Sequence, residues 1–197
     1  MGGGQAERPP AGSEPPAVDF RAPFSIGHVV IPNRVVLAPM AGLTTSAFRR
    51  RAKAYGAGLV VTEMVSVYGL IYGDRRTHHY LEFEEEERPL ALQLFGADPE
   101  AVARAVSIVI EAGHLPDLID LNMGCPVRKV MKTGAGAALL ADPERAQAVV
   151  AAAVRAAATA GLPVTAKIRS GLEPGREVAV EVAKRLEAVG VAAVGVH

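Results

Sequence analysis

The stretch that decides the fold runs from Asp117 to Leu140 and reads DLIDLNMGCPVRKVMKTGAGAALL. Leu118, Ile119 and Leu121 predict a short buried strand. The glycine and proline on either side of Cys125 then end that strand in a turn. The only cysteine of the chain is therefore expected at the C-terminal end of a strand, where α/β proteins collect their active sites. A buried structural thiol is the alternative, and the Gly-Cys-Pro turn argues against it.

Three cations follow this turn within five residues, namely Arg128, Lys129 and Lys132, and a Thr-Gly-Ala-Gly run comes directly after them. A basic and glycine-rich segment of this kind suits a mobile loop that contacts phosphate. A solvated loop without a partner is the alternative interpretation, and the sequence leaves both open.

The composition is typical of an Ala/Val-rich α/β enzyme. The chain has 197 residues, of which 50% are hydrophobic and 5% aromatic, enough for one good-sized core. No apolar run approaches the roughly 18 residues of a membrane span, so we expect neither a membrane partner nor a secretory leader. A single cysteine fits a reducing compartment, and the expected location is cytoplasmic. Because the net charge is zero, any contact with nucleic acid has to come from a local basic patch.

The chain is expected to divide into a tail and one domain. Met1 to Asp19 is rich in Gly, Pro, Ala and Glu and has almost nothing to bury, which predicts a disordered tail before a domain over residues 20–197. The domain begins with a Gly-His turn between two short apolar runs, and Phe24 to Pro32 is therefore predicted to form a hairpin.

Helical segments separate the strands that follow. One helix is predicted over Thr45–Tyr55 with Phe48, Ala52 and Tyr55 on one face, and another over Arg176–Val189. The acidic run Glu84–Glu87 is interpreted as a solvated loop.

The strand pattern decides the fold class. Six predicted strands cover Val35–Ala38, Leu59–Thr62, Leu90–Phe95, the segment around Leu118–Leu121, Pro163–Ile168 and Val191–Val196. Helical sequence follows each of the first five, which indicates a parallel sheet. No Gly-x-Gly-x-x-Gly follows the first strand, which weakens the doubly wound alternative. We therefore predict a TIM (β/α)₈ barrel that is incomplete, with about six β/α units.

Chemically informative side chains lie at nearly every strand end, in the order Met40, Glu63, Gln93, Asn122 with Cys125, Lys167 and His197. A buried amide such as Gln93 needs partners, which a backbone group or a ligand edge supplies equally well. Lys167 comes late in a buried strand, which favours a ligand-facing role. No metal site is expected, because the adjacent His78 and His79 cannot share a helix face and no third ligand is spaced near them.

These residues carry a resemblance to a known family. The chain from about Phe20 onward is similar to the flavin-dependent tRNA-dihydrouridine synthases, most like the bacterial synthase B type. The motifs that carry the likeness are APMAG at Ala38–Gly42, TEM at Thr62–Met64, QLFG at Gln93–Gly96, NMGCP at Asn122–Pro126, Lys129–Val130, KIR at Lys167–Arg169 and Val196–His197.

The resemblance implies a role for each site residue. Its flavin-binding residues would be Pro39, Met40, Ala41, Gln93, Lys167 and His197. Asn122 and Arg169 would lie near the target uracil, and Cys125 would be the general acid. Arg128, Lys129 and Lys132 are expected to contact tRNA phosphates.

The implied reaction reduces the C5=C6 bond of uridine in tRNA, with FMN as the cofactor, NADPH as the reductant and a monomeric enzyme. Hydride from reduced FMN would go to C6 and a proton from Cys125 to C5. The residue chemistry agrees, because a cysteine thiol is ordinarily protonated at neutral pH and can donate. A target base inside folded tRNA would have to be extruded into the pocket.

The family pattern continues past His197 with two more strands that hold the FMN phosphate, and then with a helical domain. We therefore expect this chain to be part of a longer product and to bind FMN and tRNA poorly by itself. Two other functions remain open: an FMN barrel of the dihydroorotate-dehydrogenase kind acting on a free pyrimidine, and a phosphate- or RNA-binding barrel without turnover.

Overall fold

The strand and helix alternation is present in the computed structural model, which describes residues 19–173 and 175–197. The strands are β1 (Phe24–Ile26), β2 (Val29–Ile31), β3 (Val36–Leu37), β4 (Leu59–Val61), β5 (Val65–Ser66), β6 (Leu90–Phe95), β7 (Leu118–Met123), β8 (Val164–Ile168), β9 (Gly171–Glu173), β10 (Arg176–Glu177) and β11 (Ala193–Val196). The α-helices are α1 (Ser46–Ala54), α2 (Val67–Ile71), α3 (Arg75–His79), α4 (Pro99–Glu111), α5 (Arg128–Met131), α6 (Pro143–Ala157) and α7 (Ala179–Glu187). Apart from Asp19, the predicted tail lies outside the described residues.

The main sheet follows the order of the chain. Its strands lie in the order β3-β4-β6-β7-β8-β11 and all pair in parallel, while β5 pairs with β6 beside this path. A doubly wound sheet reverses its strand order at a switch point, whereas a barrel adds each strand next to the previous one. The sheet is therefore an incomplete TIM barrel, and the predicted fold class is confirmed.

The outer face of the sheet holds the larger core. Every second side chain of a strand points to the same face, and on this face Leu92, Leu94, Ile119 and Leu121 pack with the helices. Helices α2, α4, α6 and α7 cover these residues and pack on one another. Burial of this apolar surface is the main source of stability of such a layer.

Two of these helices begin with the same Asp-Pro-Glu sequence. The Asp98 carboxylate accepts a hydrogen bond from the Ala101 amide at 2.9 Å, and Asp142 accepts from Arg145 at 3.0 Å. Proline occupies the first helical position in both, where no N–H is needed. The repeated sequence therefore fixes the start of α4 and of α6.

The inner face of the sheet is closed at its N-terminal end by the hairpin that the sequence predicts. Strands β1 and β2 pair antiparallel, and Ile26 and Ile31 pack against Leu59, Val61 and Leu118. The N-terminal end of the barrel interior is therefore apolar, which leaves the C-terminal strand ends for polar groups.

The apolar face predicted for helix α1 is only partly buried, because Ala52 packs against the cluster that contains Val60 and Leu90 but its two aromatic residues do not. Phe48 and Tyr55 are 44% and 81% exposed, whereas the buried residue of this helix is Arg49. The Arg49 guanidinium donates to the Glu87 carboxylate and to the Thr44 carbonyl oxygen. A buried ion pair therefore holds α1 together with the small apolar contact of Ala52.

The interpretation of the acidic run as a solvated loop is also wrong for its last residue. Glu85–Glu87 forms a 3₁₀ helix in which Glu87 is fully buried, although Glu84, Glu85 and Glu86 stay exposed. Glu87 accepts from Arg49, from the Ser46 hydroxyl and from the Glu84 amide. Because its charge is paired and hydrogen-bonded, Glu87 can be buried.

The helix predicted over Arg176–Val189 begins later. Arg176–Glu177 pairs instead with Gly171–Glu173, and α7 covers only Ala179–Glu187. Val182 and Leu186 are buried as predicted. The short hairpin of β9 and β10 places Arg176 and Glu177 on the surface.

We predict that Arg49→Met lowers the free energy of unfolding by about 3–5 kcal/mol, because it leaves the Glu87 charge buried without its partner. The double variant Arg49→Met/Glu87→Leu should recover most of this loss. The matched control is Arg50→Met on the exposed side of the same helix, with an expected change within about 0.5 kcal/mol. Urea unfolding of the wild type and the three variants measures these changes in the free energy of unfolding. Equal losses in Arg49→Met and Arg50→Met would contradict a stabilising role for the buried pair.

Candidate active site

A cavity of about 660 Å³ opens at the C-terminal ends of the parallel strands. Each strand of the main path contributes a wall residue or the loop that follows it, and the volume lies in the range of about 300–1,000 Å³ usual for small-molecule sites. In a TIM barrel this edge carries the active site. The cavity is therefore the candidate active site.

Most of the predicted site residues line this one cavity. They are Pro39, Met40, Ala41, Gln93, Asn122, Cys125, Lys167, Arg169 and His197. Arg128, Lys129 and Lys132 lie outside the cavity lining, exposed on or next to helix α5. The predicted site residues therefore fall into two groups: those that line the cavity, and three exposed cations that follow Cys125 in sequence.

A network of buried side chains adjoins the cavity through Gln93, which lines it, while Asp120 and Thr165 line a neighbouring cavity inside the barrel. The Gln93 amide donates to Asp120 Oδ2 at 2.6 Å, and the Thr165 hydroxyl donates to Asp120 Oδ1 at 2.6 Å. These three residues are in register across β6, β7 and β8, which brings them to one level of the inner face. Sequence reasoning missed Asp120 and Thr165, although a carboxylate in the middle of the apolar strand LIDLNM is a signal that could have found the first.

Burial raises the pKa of the Asp120 carboxyl above its ordinary value. The hydrogen bonds from Thr165 and Gln93, and then the charge of Lys167, act in the opposite direction and favour the carboxylate. A buried charge with this set of partners is a common feature of functional sites.

Asn122 connects this buried network to the turn that carries the cysteine. Its amide nitrogen donates to Gln93 Oε1 at 2.9 Å. Its Oδ1 accepts from the backbone amides of Gly124 at 3.3 Å and Cys125 at 3.0 Å. Asparagine side chains often bond to backbone two or three residues ahead in this way. The Asn-x-Gly-Cys motif is therefore a local structure that sets the course of the backbone at Cys125.

The turn is also held from its other side. The Ala137 amide donates to the Cys125 carbonyl oxygen at 3.0 Å, and Arg169 Nη1 donates to the Gly124 carbonyl oxygen at 3.3 Å. Gly136 has φ of +63°, and a Cβ there would lie 2.7 Å from the Cys125 carbonyl oxygen. Only glycine fits both the conformation and the space. The second half of the run expected to be mobile is thus buried support for Cys125, and that part of the expectation is wrong.

The small-residue loop after β3 forms the opposite wall. The Met40 amide donates to the Thr44 hydroxyl at 3.2 Å, and the Thr44 amide donates to the Met40 carbonyl oxygen at 3.0 Å. The Gly42 amide donates to the Glu63 carboxylate. Glu63 therefore orders this loop from the far side, where it lines a separate cleft beside α1. The short side chains of the loop leave room for a ligand close to the backbone.

The remaining polar candidates do not form a metal site. His79 pairs with Glu82 on the surface, with 2.7 Å between His79 Nδ1 and Glu82 Oε2. Within residues 19–173 and 175–197, no three His, Cys, Asp or Glu side chains cluster as metal ligands do. Over the same residues, no helix is long and apolar enough to span a membrane.

Comparison with known proteins gives a consistent result. Residues 36–197 match the family model described as dihydrouridine synthase. The tRNA-dihydrouridine synthase B of Pseudomonas aeruginosa is 40% identical over 172 residues, which are 87% of this chain and 50% of the relative. A probable tRNA-dihydrouridine synthase of Mycobacterium tuberculosis is 40% identical over 179 residues, covering 87% of this chain and 46% of the relative. The chain thus spans about half the length of the curated relatives it matches.

A solved structure supports the fold at low sequence identity. The structure of a variant of NCR from Zymomonas mobilis aligns with a TM-score of 0.51 at 14% identity and covers 91% of this chain and 69% of that chain. The family model, the relatives and the arrangement of strands agree, and the chain belongs to the dihydrouridine synthase family, as a member similar to the bacterial synthase B type.

Proposed function

We propose that the protein reduces uridine to 5,6-dihydrouridine in tRNA, with FMN in the cavity at the strand ends and NADPH as the reductant. The observation that carries the proposal is that the sole cysteine shares one cavity with two linked amides, Gln93 and Asn122, and two cations, Lys167 and Arg169. An acid, amide groups and cations around one pocket suit the reduction of a polarised pyrimidine ring.

The cavity lining fits a flavin. One wall consists of Pro39, Met40 and Ala41, whose backbone and short side chains suit the face of a flat ring. The Gln93 amide and the Lys167 ammonium, which line the same cavity, suit the polar edge of such a ring. We assign flavin binding to these five residues together with His197, which lies at the rim of the same cavity.

FMN held by these residues would, after reduction by NADPH, supply a hydride for C6 of the uracil. Cys125 donates its proton to C5, so that one hydride and one proton saturate the C5=C6 bond and a thiolate remains. The thiolate regains its proton from solvent before the next turnover. We assign the positioning of the uracil to Asn122 and Arg169, which hold the backbone of the Cys125 turn and line the cavity.

The thiol is suited to this task because the protein holds the backbone at Cys125, while no hydrogen bond to its sulfur is found among residues 19–173 and 175–197. In the described part of the chain, the hydrogen bonds at Cys125 join its amide and its carbonyl oxygen to Asn122 and Ala137. The residue is partly exposed rather than sealed in the core. A substrate base extruded from the tRNA could therefore reach it.

The basic surface next to the cavity suits the tRNA backbone. Arg128, Lys129 and Lys132 are exposed, and among the residues that the structure describes none of them forms an ion pair. Phosphate contacts by such side chains position a nucleic acid without selecting its sequence. We assign these three residues to the phosphates that flank the target uridine.

Cys125→Ala tests the acid role. We expect dihydrouridine formation in unmodified tRNA to fall by about 10²–10⁴-fold, because the proton donor is lost. NADPH oxidation by the flavin-loaded variant without tRNA should be unchanged, since the thiol takes no part in it. Both rates are measured on the product of the gene read to its own stop codon. A variant that keeps the wild-type rate on tRNA would contradict the acid role.

The same assay separates the proposal from its two rivals. Turnover of a free pyrimidine with no change in tRNA would favour an enzyme of the dihydroorotate-dehydrogenase kind. Binding of tRNA without NADPH oxidation or dihydrouridine would favour a non-catalytic RNA-binding barrel. Either result would contradict the proposed function.

Replacing Arg128, Lys129 and Lys132 together with alanine should weaken tRNA binding. Each lost phosphate contact is expected to reduce the slope of log K against log salt by about 1. The control is Arg104→Ala on the outer helix α4, an exposed arginine paired with Glu111, which should leave the slope unchanged. Binding is measured by titration at several salt concentrations. Equal slopes in the triple variant and the wild type would show that these cations are only solvated.

A further inference from the structure

A directional chain of hydrogen bonds runs from the barrel interior to the cysteine. Gln93 donates to Asp120, Asn122 donates to Gln93, and the Cys125 amide donates to Asn122. The bond of Gln93 to Asp120 is buried, and those of Asn122 lie at the cavity wall. The carboxylate and the backbone of the turn are therefore linked through two side-chain amides.

The groups at both ends of this series of hydrogen bonds require the same orientation of the two side-chain amides. Asp120 Oδ2 accepts from the Gln93 amide at 2.6 Å, and a carboxyl oxygen without a proton can only accept, so Gln93 turns its NH₂ group toward Asp120. At the other end, the amides of Gly124 and Cys125 only donate, so Asn122 must turn its oxygen toward them. With both ends fixed, each amide has one orientation that satisfies all of its neighbours.

We propose that Asp120 is a positioning residue of the Cys125 site, which fixes the orientation of the Gln93 and Asn122 amides and through them holds the cysteine turn. This inference rests on the proposed function, because it assigns Asp120 to the same reaction. It also determines which polar atoms Gln93 and Asn122 can offer to a bound ring, since the oxygens and NH₂ groups cannot exchange places.

Two substitutions of Asp120 separate orientation from charge. Asp120→Leu removes the acceptor, so the Gln93 side chain either keeps an unpaired NH₂ group or flips. A flipped Gln93 presents its NH₂ group to Asn122, which must then flip as well to offer its oxygen. The NH₂ group of Asn122 would then face the Cys125 amide, and two donors would oppose each other. In Asp120→Asn the side-chain oxygen still accepts from Gln93, while its NH₂ group donates to the Thr165 hydroxyl, which can redirect its own proton toward the Ile119 carbonyl oxygen at 3.5 Å. Asparagine should therefore preserve the orientation without the charge.

Alkylation of Cys125 by iodoacetamide tests the proposal without flavin or tRNA, because the chain has no other cysteine. Loss of one hydrogen bond from the turn should raise the alkylation rate about fivefold in Asp120→Leu. Asp120→Asn should stay within about twofold of the wild type. The matched control is Leu118→Val, a packing change two residues earlier on the same strand and face, which should also stay near the wild-type rate.

Equal alkylation rates in Asp120→Leu and Leu118→Val would overturn the proposal, and so would equal increases in Asp120→Leu and Asp120→Asn. If Asp120→Leu does not fold, the alkylation rate of Gln93→Met is measured instead. This substitution interrupts the series of hydrogen bonds between Asp120 and Asn122 and leaves Asp120 bonded to Thr165. An unchanged rate in Gln93→Met would then overturn the proposal.

Turnover adds a second readout. On tRNA, Asp120→Leu should lose about tenfold or more in kcat with little change in KM, whereas Asp120→Asn should keep most of kcat. If the wild-type protein forms no dihydrouridine, the proposed function fails, while the alkylation rates still decide whether Asp120 positions the turn.

The stability of Asp120→Asn should depend on pH. Since burial raises the pKa of Asp120 above its ordinary 3.8, the folded state disfavours the ionised carboxyl, although Lys167 on the adjacent strand offsets part of this cost. This cost grows as the pH rises from the ordinary pKa to the raised one. Thermal unfolding should therefore give the asparagine variant a higher midpoint than the wild type at pH 7.5, and the difference should shrink toward pH 4. A difference independent of pH would contradict the raised pKa.

Discussion

The alternation of side chains along strand β7 is the constraint on which the site depends. Asp120 and Asn122 point into the barrel with Leu118, while Ile119, Leu121 and Met123 point to the helices. A shift by one residue would place the carboxylate and the amide among the apolar helices and would turn Ile119, Leu121 and Met123 into the barrel. Because the outer residues are buried against α4 and α6, the register that packs the core is also the register that aims Asn122 at the cysteine turn.

The interior of the barrel is polar only where it serves the site. At the N-terminal end the hairpin fills it with apolar side chains, and one level higher Gln93, Asp120 and Thr165 bond to one another. Apolar residues of similar size would usually fill such a space at no loss of stability, because a buried ionised group is expensive to hold. The retention of a carboxylate in this place is therefore better explained by the orientation it imposes on Gln93 than by stability.

Sequence patterns predicted the elements well, because they report local periodicity and caps. Strand β6 is found with the predicted bounds, the hairpin of β1 and β2 forms, and Asp98 caps α4. The patterns failed where a distant partner decides the environment. Arg49 is buried only because Glu87 meets it from 38 residues away, and no local pattern on α1 signals that partner.

The candidate site was predictable to a similar extent and for the same reason. Side chains at the C-terminal ends of parallel strands converge by geometry, so Gln93, Asn122 and Lys167 could be placed around one cavity before their distances were known. The bonds of Asp120 could not be predicted this way, since they depend on the register of three strands that are distant in sequence. The requirement for glycine at position 136 was equally unpredictable, because it comes from the close approach of the Cys125 carbonyl oxygen across the loop.

The arrangement around Cys125 separates two requirements of a proton donor. Its backbone must be fixed, so that the thiol meets the ring carbon at a short distance, and this is the effect of the bonds from Asn122, Ala137 and Arg169. The sulfur itself must stay free to lose and regain a proton, and a hydrogen bond to a strong acceptor would compete with that transfer. The turn meets both requirements by using main-chain atoms for its support.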